Sequence, residues 1–205
     1  MRRPVATTVT VETDVAPDVT AELYALYQTS FAHLEQLAAA RHLLHEDEFQ
    51  QEVADPRVVK YVAWDTDGAP IGLCTVTSSL DAVPWISPGF YAHQYPDHHA
   101  RGAIHYVGVM MVHPSARGTG AFREIVRHIV ASAAEVGAVL AWDLCGENES
   151  AGLHRLFSSM LQSMASATVS EIDRQIYFGA VVEAGSLAPG AGPQPSAMPA
   201  QRAGS

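Results

Sequence analysis

The chain has few basic residues. Its 205 residues include 12 lysines and arginines against 22 aspartates and glutamates, which gives a formal net charge of -10. Proteins that bind nucleic acid through its phosphates need a clustered basic surface. This shortage of basic residues therefore argues against nucleic acid as a partner and favours small molecules or basic partners. Lys60 is the only lysine, so the chain also lacks the Gly-Lys-Ser/Thr sequence of a Walker phosphate loop.

Cysteines and long apolar runs are scarce as well. Cys74 and Cys145 each lie in a short apolar segment, where a free cysteine normally packs as a small buried hydrophobe. We expect no disulfide, which favours a reducing compartment. No run approaches the roughly 20 apolar residues of a membrane helix, and residues 5–13 alternate in polarity, unlike the core of a signal peptide. The sequence thus predicts a cytoplasmic protein without a membrane partner.

What the chain does have is the material of one folded domain. Hydrophobic residues make up 48% of it, which is ample for a core of normal size. No repeat and no linker divides the chain, so we predict a single domain over residues 7–184. Residues 1–6 are expected to form a flexible N-terminus. Residues 185–205 have almost no large apolar side chain, so they are expected to be a disordered Ala/Gly/Pro-rich tail.

Hydrophobic periodicity predicts strands and helices in the order β-α-α-β-β-β-α-β-α-β-β. The strands are predicted at residues 8–12, 58–64, 71–77, 104–112, 138–144, 168–172 and 175–182. The first helix begins at Pro17 and carries apolar residues as far as Leu37, and a second runs from about Glu46 to Val53. A third helix ends at Gly137. The last begins at residue 149 or 150. This order indicates an α/β protein.

Residues 78–101 form a long segment rich in aromatic residues and without clear periodicity. A loop of this length is unusual in a compact domain unless it is functional. Either it is a lid over a substrate, or its aromatic side chains simply pack against the sheet. Four of its residues, His93, Asp97, His98 and His99, suggest a metal site or the lining of an acceptor pocket. The chain shows no second ligand cluster with zinc-site spacing, so we expect no metal.

A glycine turn follows the strand that ends at Val112. Its sequence is Arg117-Gly118-Thr119-Gly120, and a helix begins after it. Glycine permits a tight turn and a close approach of backbone to ligand, and the free amides of a first helical turn bind anions. Arg117 would add a charge-assisted hydrogen bond to a phosphate. Arg123 replaces the third glycine of the dinucleotide-binding fingerprint. A tight connection without a ligand is the alternative.

The stretch from Met110 to Gly120 reads apolar-x-Val-x-Pro-x-x-Arg-Gly-x-Gly and resembles the coenzyme A motif of the GNAT superfamily of N-acetyltransferases. The predicted order of elements is similar to that fold over roughly residues 7–182. The resemblance implies a GNAT-like acyl-CoA N-acyltransferase fold, with a mixed, mostly antiparallel central sheet flanked by helices. It also implies acetyl-CoA as cosubstrate and direct transfer to a primary amine of a small molecule or protein. Dimers are common among similar proteins, so a homodimer is one expected state.

The family motif assigns cofactor-binding roles to residues of this chain. Residues that would pair by backbone with the pantetheine arm are Met110, Met111 and Val112. Residues that would surround the pyrophosphate are Arg117, Gly118, Thr119, Gly120, Ala121 and Phe122. Asn148 matches the asparagine that touches the cofactor in the family. Alternatively, Asn148 or Ser150 only caps the next helix.

Two departures from the family pattern favour a different function. The final Gly or Ala of the motif is replaced by Phe122. The tyrosine that protonates the leaving thiolate in the family falls on Arg155 or Phe157, and neither side chain can act like a phenol. The alternative to an enzyme is therefore a non-catalytic acyl-CoA-binding regulatory module.

Acetylation of an amine requires a base or a water chain to remove a proton from it. In the family the strand before the loop often supplies this base, and here Tyr106 and His105 are the candidates. Strict alternation places Tyr106 on the same face as Met110 and Val112, with His105 on the other face. His105 has the more suitable pKa for the task. A bulge at Gly108 would change this assignment, and structural packing of both side chains is the alternative.

Overall fold

The computed structural model describes residues 8–39 and 43–182 of the chain. The chain divides into two units, Met1–Ser170 and Glu171–Ser205, which are taken separately below. The predictions of a flexible N-terminus at residues 1–6 and of a disordered tail at residues 185–205 lie outside the described residues.

Within the described residues, the first unit consists of a five-stranded sheet with helices on both faces. The strands are β1 (Thr8–Glu12), β2 (Val58–Trp64), β3 (Pro70–Thr77), β4 (Ile104–Val112) and β5 (Val139–Ala141), and they lie in the sheet in chain order. Neighbours are antiparallel except β4 and β5, which are parallel. The helices are α1 (Pro17–Phe31), α2 (Leu34–Leu37), α3 (Glu46–Ala54), α4 (Pro88–Gln94), α5 (Pro96–Ala100), α6 (Ala121–Val136), α7 (Gly146–Ser150) and α8 (Leu153–Met164).

Apolar side chains cover both faces of the sheet. On one face, Ile125 and Ile129 of α6 pack against Val107 of β4. On the other, residues of α1 and α3 such as Leu23 and Phe49 form a second cluster. Helix layers on both faces bury the central strands from two sides, so β3 is almost completely buried. No helix in the described part of the chain is both long enough and apolar enough to cross a membrane.

The sequence predictions for β1, β2 and β4 are confirmed with the same bounds. A tight turn joins β2 to β3, in which the Asp65 carboxylate accepts hydrogen bonds from the N–H groups of Asp67 and Ala69, both at 2.9 Å. Gly68 closes this turn with a φ of 83°. Helix α6 ends at the predicted place, where Gly137 adopts a left-handed conformation.

Several predicted boundaries are wrong. The first helix ends at Phe31 rather than continuing to Leu37, and α2 forms separately. The helix predicted from residue 149 is divided into α7 and α8 at Gly152, whose φ of 83° is incompatible with a right-handed helix. The strand predicted at 138–144 is only Val139–Ala141, because its ladder with β4 ends there.

The closing strands predicted at residues 168–172 and 175–182 are wrong as well. The described part of this stretch, which ends at residue 182, contains no strand. Alternating polarity alone does not make a strand, since each one needs a partner for its ladder of hydrogen bonds. Within the second unit, Arg174 instead bonds locally to Glu171, with one N···O distance of 2.6 Å.

Residues 78–101 are not the irregular loop that the sequence indicated. They contain a 3₁₀ turn at Leu80–Ala82, followed by α4 and α5. Pro88 and Pro96 begin these two helices, because proline is well tolerated at the first helical position although it is also common in loops. The Ser87 hydroxyl caps α4 by accepting a hydrogen bond from the N–H of Phe90 at 3.3 Å.

Candidate functional site

Strand β5 pairs with only the first three residues of β4. The paired residues are Ile104 with Val139, His105 with Leu140, and Tyr106 with Ala141. Beyond Tyr106, β4 continues to Val112 with no strand on this side in the part of the chain that the structure describes. Such an edge leaves peptide groups that an extended ligand carrying amides can pair with, as an added strand does. The predicted pantetheine-binding residues 110–112 lie on this edge.

The glycine turn after β4 has the backbone geometry of an anion site. Gly118 and Gly120 have φ values of 78° and 101°, which only glycine adopts readily. The Thr119 hydroxyl closes the turn by donating to the Ala116 carbonyl at 2.7 Å. Gly120 is the N-cap of α6 and provides no side chain to cap it. The first amides of α6 have no intrahelical acceptor, and the helix dipole adds positive charge there. This arrangement fits a pyrophosphate.

Arg117 adds a cation to the turn. Its side chain is exposed, and it has no ion-pair partner among residues 8–39 and 43–182. The acidic side chain in the first turn of α6, Glu124, is paired instead with Arg127, with an N···O distance of 2.9 Å. The guanidinium of Arg117 is therefore available to an anion bound at the turn.

Packing between α6 and α8 explains the aromatic side chain at Phe122. Its half-buried ring meets Phe157 of α8 at a centroid distance of 6.5 Å and an interplanar angle of 62°. The same cluster contains Val126 and Leu161. The ring thus helps to hold α8 against α6, while its backbone amide remains in the first turn of α6. An aromatic residue at this position serves the contact between the two helices.

Asn148 lies in the short helix α7 and is half-buried. The interpretation of Asn148 or Ser150 as a helix cap is wrong, because Cys145 is the N-cap of α7 and Gly152 is the N-cap of α8. Because Gly152 is left-handed, two helices form where one was predicted. Neither of them begins at Asn148 or Ser150. Contact of Asn148 with the cofactor stays a prediction.

A bulge interrupts the pairing of β3 with β4. Cys74 pairs with Met110 and Val76 pairs with Val107, so two residues of β4, Gly108 and Val109, lie opposite the single residue Thr75. The N–H of Val109 donates to the Thr75 hydroxyl at 2.8 Å, which satisfies a group that the irregular ladder leaves out. The bulge that the sequence analysis considered at Gly108 is therefore present.

This bulge reverses which side chains of β4 share a face. Val107 and Met110 pack with the α6 cluster, whereas Val109 and Met111 pack with the cluster of α1 and α3. The expectation that Tyr106 shares a face with Met110 and Val112 is wrong, because the extra residue shifts the alternation by one. Tyr106 lies on the α3 side, where it borders the same cavity as Thr75. His105, its neighbour, points to the α6 side.

Tyr106 is 1% exposed and has two hydrogen-bond partners. Its hydroxyl donates to the Asp143 carboxylate and accepts from Nε1 of Trp85 at 3.3 Å. The ring of Tyr91 packs edge-on at a centroid distance of 6.2 Å, so aromatic residues of the 78–101 segment do pack against the sheet. Burial and the charge of Asp143 raise the pKa of Tyr106. Burial lowers the pKa of the half-buried His105, which favours the neutral form of its imidazole.

One acidic residue at the bulge was not predicted. Glu52 of α3 accepts a hydrogen bond from the Thr75 hydroxyl to Oε1 at 2.9 Å. Burial raises the pKa of its carboxyl group, against the opposing effects of the Thr75 bond and the positive charge of Lys60. A signal was present in the sequence, since Glu52 follows the buried Phe49 by three residues and precedes the buried Val53. This spacing puts an acid beside the apolar side of α3.

Glu52 borders a cavity of about 20 Å³ at the bulge, enough for one water molecule. Its walls are formed by Glu52, Val58, Thr75, Val76, Thr77, Ala82, Val83, Trp85, Tyr106 and Gly108. This cavity brings together residues from α3, the three central strands and the segment before α4.

A larger cavity of about 210 Å³ lies at the beginning of β4, bordered by Ile104 and Gly102. The length of β4 separates this cavity from the glycine turn by roughly 26 Å, so the two are distinct places. His99, one of the histidines predicted to line an acceptor pocket, lies in its wall. Within residues 8–39 and 43–182, no three His, Cys, Asp or Glu side chains come together as a metal site requires.

Comparisons with known proteins define the class of this protein. A sequence model of the acetyltransferase (GNAT) family matches residues 20–160. This match covers more than half of the chain, and the chain belongs to the GNAT acetyltransferase family. No curated protein sequence matches the chain.

Solved structures with the same fold include two aminoglycoside acetyltransferases. One is the aminoglycoside antibiotic 6'-N-acetyltransferase AAC(6')-Ih from Acinetobacter baumannii, with a TM-score of 0.51, 13% identity and coverage of 87% of this chain and 100% of that one. The other is meta-AAC0020 from an uncultured soil metagenomic sample, in complex with sisomicin, with a TM-score of 0.50, 12% identity and coverage of 85% and 96%. At these identities the likeness shows the fold alone, and the predicted GNAT-like α/β fold is confirmed.

Proposed function

We propose that this protein is an acetyl-CoA-dependent N-acetyltransferase that moves an acetyl group to a primary amine by direct transfer. The main support for the proposal is that two structural features follow one another along β4. An unpaired strand edge leads directly into a glycine turn at the N-terminus of α6. The edge offers backbone groups to an extended arm that carries amides, and the turn offers donors to a diphosphate. Coenzyme A has both of these parts in that order.

The proposed cofactor contacts follow from this placement. The backbone of Met110, Met111 and Val112 would pair with the pantetheine arm. The pyrophosphate would be held by the Arg117 guanidinium and by the turn that runs through Gly118, Thr119, Gly120, Ala121 and Phe122. Asn148 of α7 is the proposed further contact. When bound, acetyl-CoA supplies an acetyl group activated as a thioester.

The structure separates the two predicted bases by face. Burial favours the neutral imidazole of His105, which can accept a proton, but its side chain points to the α6 side of β4. Tyr106 lies at the cavity on the other side, where its hydroxyl proton is directed to Asp143. We infer that Tyr106 is a positioning residue, because its hydroxyl links Trp85 and Asp143 at the point where β4 and β5 separate.

The proposed acceptor is a cationic amine, on a small molecule or on a protein. Glu52 lies at the bulge, Asp143 lies nearby at Tyr106, and the net charge of -10 attracts cations to the protein as a whole. The solved structures described above are named as aminoglycoside acetyltransferases, so aminoglycosides belong among the amines to be tried. Polyamines, lysine-containing peptides and peptide N-termini complete a useful panel.

A non-catalytic acyl-CoA-binding module is the second candidate. The observation in its favour is the absence of a phenol on α8, the helix in which the family tyrosine is expected, since Leu153–Met164 contains no tyrosine. Phe122 does not support this candidate, because its ring is explained by the contact with Phe157.

Two measurements test the proposal. Calorimetric titration with acetyl-CoA should show stoichiometric binding, and thiol release should then appear with at least one amine of the panel. Absence of binding would remove both candidates. Binding without thiol release on any amine would support the regulatory module and contradict the enzyme.

A further inference from the structure

We propose that Glu52 is the catalytic residue that receives the amine nitrogen of the acceptor and takes a proton from it, at the small cavity beside the bulge of β4. This inference rests on the proposed acetyl transfer and adds a residue to it. Three observations support it. A hydrogen bond from Thr75 fixes the Glu52 carboxylate, the backbone of β4 lies directly against this carboxylate, and the neighbouring groups leave one of its oxygens for the acceptor.

Glu52 is held firmly although its side chain is polar. The flanking residues Phe49 and Val53 anchor α3 with exposures of 0% and 1%. The Thr75 hydroxyl donates to Oε1 of Glu52 at 2.9 Å while it accepts from the N–H of Val109. One hydroxyl therefore links the carboxylate to the bulge itself. Oε2 is the oxygen that Thr75 does not hold, and we assign it to the acceptor.

The backbone of β4 lies directly against this carboxylate. A Cβ atom placed on Gly108 would lie 3.3 Å from Oε1 of Glu52 and 2.7 Å from the Thr75 hydroxyl oxygen. Glycine at position 108 thus removes the side chain that would separate the acid from the strand. Gly108 precedes the end of β4 by roughly 13 Å. An extended ligand that begins at the glycine turn and follows the unpaired edge of β4 runs toward this point.

The surroundings of Glu52 suit a base. Its titratable neighbours are Lys60 of β2, Cys74 of β3 and Tyr106 of β4. Lys60 does not bond to it, because its ammonium donates to the carbonyl oxygens of Thr13 and Asp55 at 2.9 and 2.8 Å. Burial raises the pKa of Glu52 above its ordinary value, which makes the carboxylate a stronger proton acceptor.

The proposed step balances in atoms and electrons. Oε2 of Glu52 first takes one proton from the ammonium group of the acceptor, which frees the lone pair on nitrogen. The nitrogen then forms a bond to the acetyl carbon as the carbon–sulfur bond breaks, and the electron pair of that bond leaves on the sulfur. The second proton, which nitrogen loses as the amide forms, passes to the sulfur and gives the free thiol of coenzyme A. Glu52 then returns its own proton to solvent, which regenerates the carboxylate for the next turnover.

The main test compares Glu52→Gln with the wild-type protein across pH. The substitution keeps an acceptor for the Thr75 hydroxyl and removes the basic oxygen, so we expect a loss of kcat/KM on the order of a hundredfold or more. The acidic limb of the wild-type pH profile, on which the rate rises as Glu52 ionises, should disappear. Affinity for acetyl-CoA, measured by calorimetry, should stay within about threefold.

Two controls belong to this test. Glu46→Gln makes the same change at an exposed position of α3 and should leave the rate unchanged. His105→Gln should retain most of the activity. If Glu52→Gln keeps the rate and the acidic limb, or if only His105→Gln loses them, the assignment of Glu52 is overturned. If the wild-type protein releases no thiol with any amine, the proposed function itself fails, and that result is distinct from the first.

A second measurement needs no activity. Because the pKa of Glu52 is raised in the folded state, its contribution to stability is fully present below the unfolded value of about 4.3 and is lost as pH rises through the folded value. We expect Glu52→Gln to unfold at a higher denaturant concentration than wild type at pH 8, with the difference closing near pH 4. A difference that does not change with pH would show that the carboxyl group is not buried at the bulge.

Discussion

β4 borders two regions of opposite electrical character. Beyond its C-terminal end, the first turn of α6 and the exposed Arg117 present positive charge. At the bulge, roughly 13 Å earlier along the strand, Glu52 and the pair of Tyr106 and Asp143 present acidic groups. The positive region is made almost entirely of backbone in a special conformation, whereas the acidic region is made of packed side chains. In the proposed function, one strand would serve an anionic cosubstrate at one end and a cationic acceptor near its middle.

The acidic region should be the more sensitive of the two to substitution, because the side chains of Thr75 and Glu52 lie close to the backbone of β4 at Gly108. Gly108→Ala would place a methyl group 2.7 Å from the Thr75 hydroxyl oxygen, so the bond from Thr75 to Glu52 must move. We expect a loss of about 1–3 kcal/mol in the free energy of unfolding and a fall of more than tenfold in turnover. Denaturant titration and steady-state kinetics measure the two effects.

The control for this change is Gly89→Ala. A Cβ atom at Gly89 would have its nearest neighbour at 3.9 Å, so stability and rate should remain as in wild type. A Gly108→Ala protein that is as stable and as active as wild type would show that the approach of Thr75 and Glu52 to β4 is unimportant.

Substitutions in the positive region should change the affinity for acetyl-CoA rather than the rate of turnover. Arg117→Ala removes a proposed charge-assisted hydrogen bond to the pyrophosphate, worth about 1.5–3 kcal/mol, so the Kd for acetyl-CoA should rise about ten- to hundredfold. Thermal stability should not change, because the side chain is exposed. Calorimetric titration measures the affinity.

Arg127→Ala is the comparison for this variant, since it removes the same charge from the second turn of α6. Its effect on affinity should be much smaller. Equal losses in the two variants would mean that charge alone attracts the cosubstrate and that the pyrophosphate is not held at the turn.

The smallest expected effect on function concerns Phe122, which lies in the positive region but packs in the core. Phe122→Ala should lower the free energy of unfolding by about 1–3 kcal/mol, less than a fully buried aromatic would, because the ring is half-buried against Phe157. The Kd for acetyl-CoA should change less than threefold. Phe90→Ala, a half-buried aromatic of α4, provides a reference for stability. Tenfold tighter binding by Phe122→Ala would show that the ring hinders the cosubstrate.

The elements of this fold differ in how far the sequence predicted them. β1, β2 and β4 were predicted with their bounds, because the β-branched and apolar residues that favour a strand lie together within one segment. The closing strands at 168–172 and 175–182 were wrong, because their pattern carries no information on a partner strand. The helices α4 and α5 were missed because prolines that begin a helix look the same in sequence as prolines in a loop.

The sequence by itself determined the glycine turn, since left-handed glycines followed by an amphipathic helix are properties of neighbouring residues. Only the tertiary structure decided the acidic region. The hydrogen bond from Thr75 to Glu52 joins residues 23 positions apart, and the one from Tyr106 to Asp143 joins residues 37 positions apart. The bulge that turns Tyr106 toward α3 arises from the pairing of two strands. Such contacts exist only once the sheet and both helix layers have packed.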